Sequence, residues 1–123
     1  MKTKKMVAVI GTYPGYGHNN MSTGRKINFC SLYMEIASEV FAECGIYVTA
    51  VCSETRTLYN TAWGCPKDGE VTYKVEATAN PSFVQDMDAW KQACIQLIKM
   101  LKEKLKQSTV TVEFFDVELI YIK

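Results

Sequence analysis

The sequence predicts an α+β domain, an antiparallel sheet carrying two amphipathic helices on one face. Apolar residues recur at helical spacing over residues 27–41 and 87–105, and each stretch lies between strand-like segments. Val71, Tyr73, Val75 and Ala77 alternate with Thr72, Lys74, Glu76 and Thr78, the signature of a strand buried on one side. With 123 residues there is material for one core, so residues 1–123 read as a single domain.

Taken in order, residues 6–10 are a continuous apolar run, the mark of a strand buried on both faces. In the first helix Phe29, Tyr33, Ile36 and Val40 form the stripe, and Ile27, Met34, Ala37 and Phe41 widen it. Ser22 or Thr23 is placed to cap this helix, and Gly45 to stop it. Residues 46–59 read as a strand with Ile46, Val48, Ala50 and Cys52 on one face and Thr49, Ser53, Thr55 and Thr57 on the other. Turn residues fill 60–70, and the alternating strand follows. Asn80-Pro81 breaks that strand, and Ser82 to Gln85 fits a capping box opening the second helix. Its stripe is Met87, Trp90, Cys94, Leu97, Leu101 and Leu105. The last strand, about 109–122, changes apolar phase near Phe114-Phe115, which predicts a bulge or pairing on both edges. The resulting βαββαβ order is ferredoxin-like. An open sheet face bearing Phe115, Val117, Leu119 and Tyr121 predicts a homo-oligomer.

Composition excludes several classes. Hydrophobic residues at 48% and charged residues at 22% are those of an ordinary globular protein, and a net charge of +1 speaks against binding long nucleic acid. Five cysteines without a CxxC pair read as buried free thiols in a reducing compartment, and with one histidine they offer no zinc site. Lys2, Lys4 and Lys5 imitate a secretory leader, but the apolar run after them is too short, and nothing approaches membrane-spanning length. The expectation is a cytoplasmic protein, of a cell or an infected host, with no membrane, metal or cofactor.

The segment 11–26 is the candidate site. Glycine, asparagine and hydroxyl residues crowd there, and Arg25, one of two arginines, closes it with Lys26. A loop from a strand into a helix start can offer N–H groups and a dipole to an anion. Neither familiar phosphate-loop pattern is present: Gly17 and Gly24 are wrongly spaced for one, and Asn20 stands where the other needs glycine. On this reading Arg25, Lys26 and the loop N–H groups take a phosphate, Asn19, Asn20 and Ser22 read sugar or phosphate oxygens, and Thr23 lies beside them. Tyr13 and Tyr16 stack a base, joined by Trp63 or Phe83. The plainer alternative is a capping or disordered loop, with Trp63 and Phe83 as core packing or edge cover. His18 has no acid beside it in sequence, so it reads as a hydrogen-bond donor or a water-facing side chain before a general base. Arg56 reaches a ligand or forms a surface ion pair. Small size, element order, the expected oligomer and the loop ending in Arg25 make the chain resemble the phage-encoded Thoeris anti-defence proteins. That resemblance implies sequestration of a cyclic ADP-ribose-type or cyclic oligonucleotide signal between subunits, without hydrolysis.

No nucleophile–base pair has a recognisable signature. The main expectation is therefore a non-catalytic sponge for a small phosphorylated, nucleotide-derived ligand. The alternatives are a small isomerase or lyase with His18 or Tyr13 as acid/base, and a protein–protein module using the last strand.

Overall fold

The computed structural model describes residues 1–12 and 28–123. Within them the order is β1 (Lys2–Gly11), α1 (Phe29–Cys44), β2 (Val51–Thr57), β3 (Glu70–Thr78), α2 (Met87–Lys104) and β4 (Thr111–Glu118), with a 3-10 turn at Thr61–Trp63. Every strand pair is antiparallel and the sheet runs β2-β3-β1-β4, so the fold is the α+β, βαββαβ arrangement expected.

The core lies between the sheet and the helices. Met6, Ala8 and Ile10 of β1 and Val75 and Ala77 of β3 meet Phe29, Tyr33, Ile36 and Val40 of α1 and Trp90, Cys94, Leu97 and Leu101 of α2. Burying each large apolar side chain contributes roughly 1.5–3 kcal/mol. Phe29 lies flat on Tyr73 with ring centroids 4.3 Å apart, fixing the first turn of α1 over β3. The buried Tyr33 hydroxyl donates to the Val48 carbonyl at 2.6 Å, tying α1 to the approach of β2. Among the described residues no helix is long and apolar enough to cross a membrane.

Several local expectations need correction. The cap of α1 is Asn28, whose Oδ1 accepts from Ser31 N at 3.1 Å, and not Ser22 or Thr23. Gly45 does stop the helix, at φ 76°. Asp86, not Ser82, caps α2 by accepting from Ala89 N at 3.0 Å. Residues 80–84 form a turn in which Asn80 Oδ1 holds Ser82 N and the Asn80 carbonyl holds Phe83 N and Val84 N. β2 begins at Val51: the apolar alternation of 46–50 records packing, with Val48 fully buried, and not strand pairing.

β1 is covered on one side only, leaving Val9 41% exposed on the open face. Met34 and Phe41 do not widen the α1 stripe; both point away from the sheet and are exposed. In β4 no residue is inserted opposite β1, and among the described residues β1 is its one partner, so there it neither bulges nor pairs on two edges. Its change of phase is shared with β1. The inward positions step from Met6 to Thr3 just as they step from Phe114 to Val117, and Met6 pairs with Phe114 and Thr3 with Val117. The five cysteines are free thiols, but only Cys94 is buried; Cys30 and Cys44 are exposed.

Candidate functional site

Most of the expected loop site lies outside the described residues: Tyr13, Tyr16, Gly17, His18, Asn19, Asn20, Ser22, Thr23, Gly24, Arg25 and Lys26. Of the remaining three, Arg56 and Trp63 belong to the end of the sheet where β1 finishes. Phe83 does not. It follows the far end of β3, 72% exposed, with its ring edge-on to Tyr121 at 5.7 Å. β3 is 9 residues long, so within one chain roughly 30 Å of strand separates the Phe83 end from the Arg56 end. One base cannot stack on both Trp63 and Phe83 of a single chain.

The end of the sheet at Gly11 carries a cavity of about 250 Å³. Its described walls are Val9 and Gly11 of β1, Thr57 and Tyr59 at the end of β2, Glu70 and Thr72 at the start of β3, and residues Gln107 to Thr111 entering β4. Cross-strand pairing explains the convergence. Gly11 faces Thr72, Thr57 faces Glu70 and Val9 faces Thr111, so all six share the open face of the sheet.

Hydroxyls line one side. Thr72 Oγ1 lies 2.8 Å from Thr55 Oγ1 and 3.0 Å from Thr57 Oγ1, and Thr72 is buried despite its place on the open face. Beside them the Tyr59 hydroxyl donates to Glu70 Oε1 at 3.2 Å. The hairpin between these two is set by Asp68 (φ 67°) and Gly69 (φ 87°), with Gly69 N donating to the Pro66 carbonyl at 3.0 Å.

Gln107 completes the rim. After α2, Lys106 takes a left-handed conformation (φ 54°), and Gln107 N returns to the Lys102 carbonyl at 3.0 Å. Its Nε2 donates to the Leu105 carbonyl at 3.0 Å, which fixes the amide so that Oε1 reaches over Gly11. A Cβ at Gly11 would collide with that oxygen and would stand 2.6 Å from Glu70 Oε2. Glycine is what lets both oxygens close over β1.

The described walls of the cavity have a definite electrical sense. Glu70 is its one charged side chain among the described lining residues, so these walls suit a cation and polar hydroxyl-bearing groups, not a phosphate. Elsewhere, burial pushes the Cys94 thiol up to about 12 and, with nearby Cys30, the Cys52 thiol up to about 11, so neither is a ready nucleophile. Among the described residues no group of His, Cys, Asp and Glu could hold a metal ion. Sequence reading missed Glu70 and Gln107 as site residues and saw Tyr59 only as the end of a strand. The Tyr59–Glu70 pair had a signal, since both flank one hairpin; Gln107 had none, because only the tertiary fold carries it to β1.

Solved structures share this fold, phage SAM lyases among them. A phage SAM lyase in its apo state superposes with a TM-score of 0.61 at 13% identity, covering 99% of this chain and 94% of the other. A phage SAM lyase in complex with S-methyl-5'-thioadenosine gives 0.60 at 11% identity, covering 98% and 93%. At those identities the likeness is one of fold. No curated protein matches the chain. The family model described as SAM lyase, by contrast, matches residues 1–123. That match overturns the expectation of a non-catalytic nucleotide sponge, because the family is one of enzymes, and the lyase alternative is the reading it favours; the Thoeris resemblance is not shown. The chain belongs to the SAM lyase family.

Proposed function

We propose that this protein is an enzyme that cleaves S-adenosylmethionine and releases S-methyl-5'-thioadenosine. The observation that carries the proposal is the family match along residues 1–123. The cavity at Gly11 supports it: a wall whose charge comes from Glu70 complements a substrate bearing a sulfonium and an ammonium. The threonine hydroxyls suit ribose. S-adenosylmethionine has no phosphate, so the phosphate role first given to the loop falls away.

The chemistry asks little of the protein. A sulfonium is a good leaving group. The bond between sulfur and the amino-acid side chain breaks with its electron pair going to sulfur, which becomes the neutral thioether of the product. The four-carbon fragment is left electron-deficient at its terminal carbon. Its own carboxylate oxygen can form the new bond there and close a lactone. No proton is moved and no water is added, so no nucleophile–base pair is required. Catalysis then consists of folding the substrate into the attacking geometry and excluding water.

We place the loop residues on the same ligand. Tyr13 and Tyr16 would stack adenine, and Asn19, Asn20 and Ser22 would take ribose oxygens. Arg25, with Lys26, would hold the carboxylate, the bidentate partner that a guanidinium prefers. His18, Gly17, Thr23 and Gly24 belong to that segment, and Arg56 and Trp63 would flank it. The proposed place of action is the cytoplasm.

The direct test is purified protein incubated with S-adenosylmethionine and followed by mass spectrometry. Thioadenosine and a lactone should accumulate together. Intact substrate after prolonged incubation sinks the proposal, and homoserine labelled by solvent oxygen at the earliest time points would replace the lactone route with hydrolysis.

A further inference from the structure

We propose that the cavity between the end of α1 and the start of α2 is a second ligand site, built for a small organic cation whose charged centre is wrapped in alkyl groups, such as a quaternary ammonium. It shares no lining residue with the Gly11 cavity, and Asp86 in its wall follows the opposite end of β3. The inference goes beyond the reaction proposed above and does not depend on it.

This cavity measures about 490 Å³, the size of a small-molecule site. Three separate pieces of chain wall it: Phe41 and Gly45 at the end of α1, Tyr47 on the approach to β2, and Phe83, Val84 and Asp86 before α2. The Phe41 and Tyr47 rings lie 6.2 Å apart and are inclined at 68°, so they meet as a corner. Phe83 adds a third ring, held edge-on by Tyr121 at 5.7 Å. All three rings that line the cavity are exposed, so core packing does not account for them. The charge of the walls is negative. Asp86 is the one charged side chain among the described lining residues. Two helix ends also meet here. The last turn of α1 holds Glu43 and no basic residue, so the negative end of its dipole is left unanswered. The positive end of α2 is answered already, by Asp86 as its cap and Asp88 in its first turn. Among the described residues no group of His, Cys, Asp and Glu could hold a metal ion. Ring faces attract a positive charge within about 6 Å, and an alkylated onium centre gives up little water to reach them. Its alkyl groups suit the aromatic and aliphatic walls, and its charge suits Asp86 and the end of α1.

The test uses two probes of one shape, choline and its uncharged isostere 3,3-dimethylbutan-1-ol. Amide-resolved NMR titration of the full chain reports both affinity and place. Choline should shift the amides of Gly45, Tyr47 and Val84 saturably, and the alcohol should bind about tenfold more weakly. Phe41→Leu and Tyr47→Leu keep an apolar side chain and remove a ring; each should weaken choline about fivefold. Asp86→Asn keeps a good helix cap and removes the charge, so it should weaken choline about threefold and leave the alcohol unaffected. Melting curves accompany each variant, and Phe83→Leu, at a position 72% exposed, replaces any that fails to fold. Equal affinity for choline and the alcohol overturns the proposal. So do shifts confined to Gly11 and Thr72, choline affinity unchanged in folded ring variants, or no saturable choline shift in the wild-type protein.

Discussion

At Glu70, one carboxylate sets the charge of the cavity's described wall. Glu70→Gln keeps the shape and removes the charge, and kcat/KM for S-adenosylmethionine should fall about ten- to a hundredfold, as expected for losing a charged hydrogen-bond partner. Tyr59→Phe removes the hydroxyl that donates to Glu70, at a cost of about 1 kcal/mol, and should lower kcat/KM roughly fivefold. Steady-state kinetics of the two variants decide this, and equal losses would mean that Tyr59 does more than orient. Away from the cavity, the Tyr33 hydroxyl is buried and bonded to Val48 O, and burial, with Cys52, Cys94 and Tyr47 near it, raises its pKa. Tyr33→Phe should destabilise the fold by about 1–3 kcal/mol in urea titration, because the Val48 carbonyl is left buried without that donor. The thiols give a pH dependence. Cys94, at about 12, and Cys52, at about 11, hold their protons more tightly folded than unfolded, where such thiols titrate near 9.0. Their contribution is complete below pH 9 and fades as pH rises through the folded values, so the melting temperature should fall between about pH 9 and 12. Cys94→Ala should flatten that slope.

Among the elements, legibility in sequence followed period and failed at ends. The alternation over β3 and the apolar stripe of α2 were legible because each element buries one face against the other. The starts of both helices were not. Asn28 and Asp86 cap them, yet Ser22, Thr23 and Ser82 satisfy the same sequence rule, and only the turn built on Asn80 displaces Ser82. The same limit governed the site. The loop at 11–26 declares itself by composition, whereas Tyr59, Glu70 and Gln107 are ordinary residues that strand register and the end of α2 bring together. The β2–β3 connection is the element most open to a single change. Gly69 sits at φ 87° with Leu58 Cδ2 2.6 Å and Thr57 O 3.0 Å from any added Cβ. Gly69→Ala should cost about 1–3 kcal/mol by calorimetry and disturb Glu70, its neighbour, so activity should fall further than stability explains.

For the whole molecule, the sheet has one covered face and one open face. Phe115 and Tyr121 are 45% and 43% exposed, and Val9, Trp63 and Ile122 are exposed as well, more apolar surface than a small monomer usually shows. We expect a homo-oligomer in solution by light scattering; a monomer at micromolar concentration would contradict this. The order β2-β3-β1-β4 also has a kinetic side. β1 emerges first during synthesis, yet its neighbours lie far along the chain; the Lys4–Asp116 pair spans 112 residues. Until β3 and β4 are made, the run Met6 to Ile10 has nothing to pair with on either edge. Folding should therefore be slow for a domain of this size, on the order of milliseconds to seconds. A nascent chain stalled before β4 would present a bare, apolar central strand, a substrate for chaperones and a seed for aggregation.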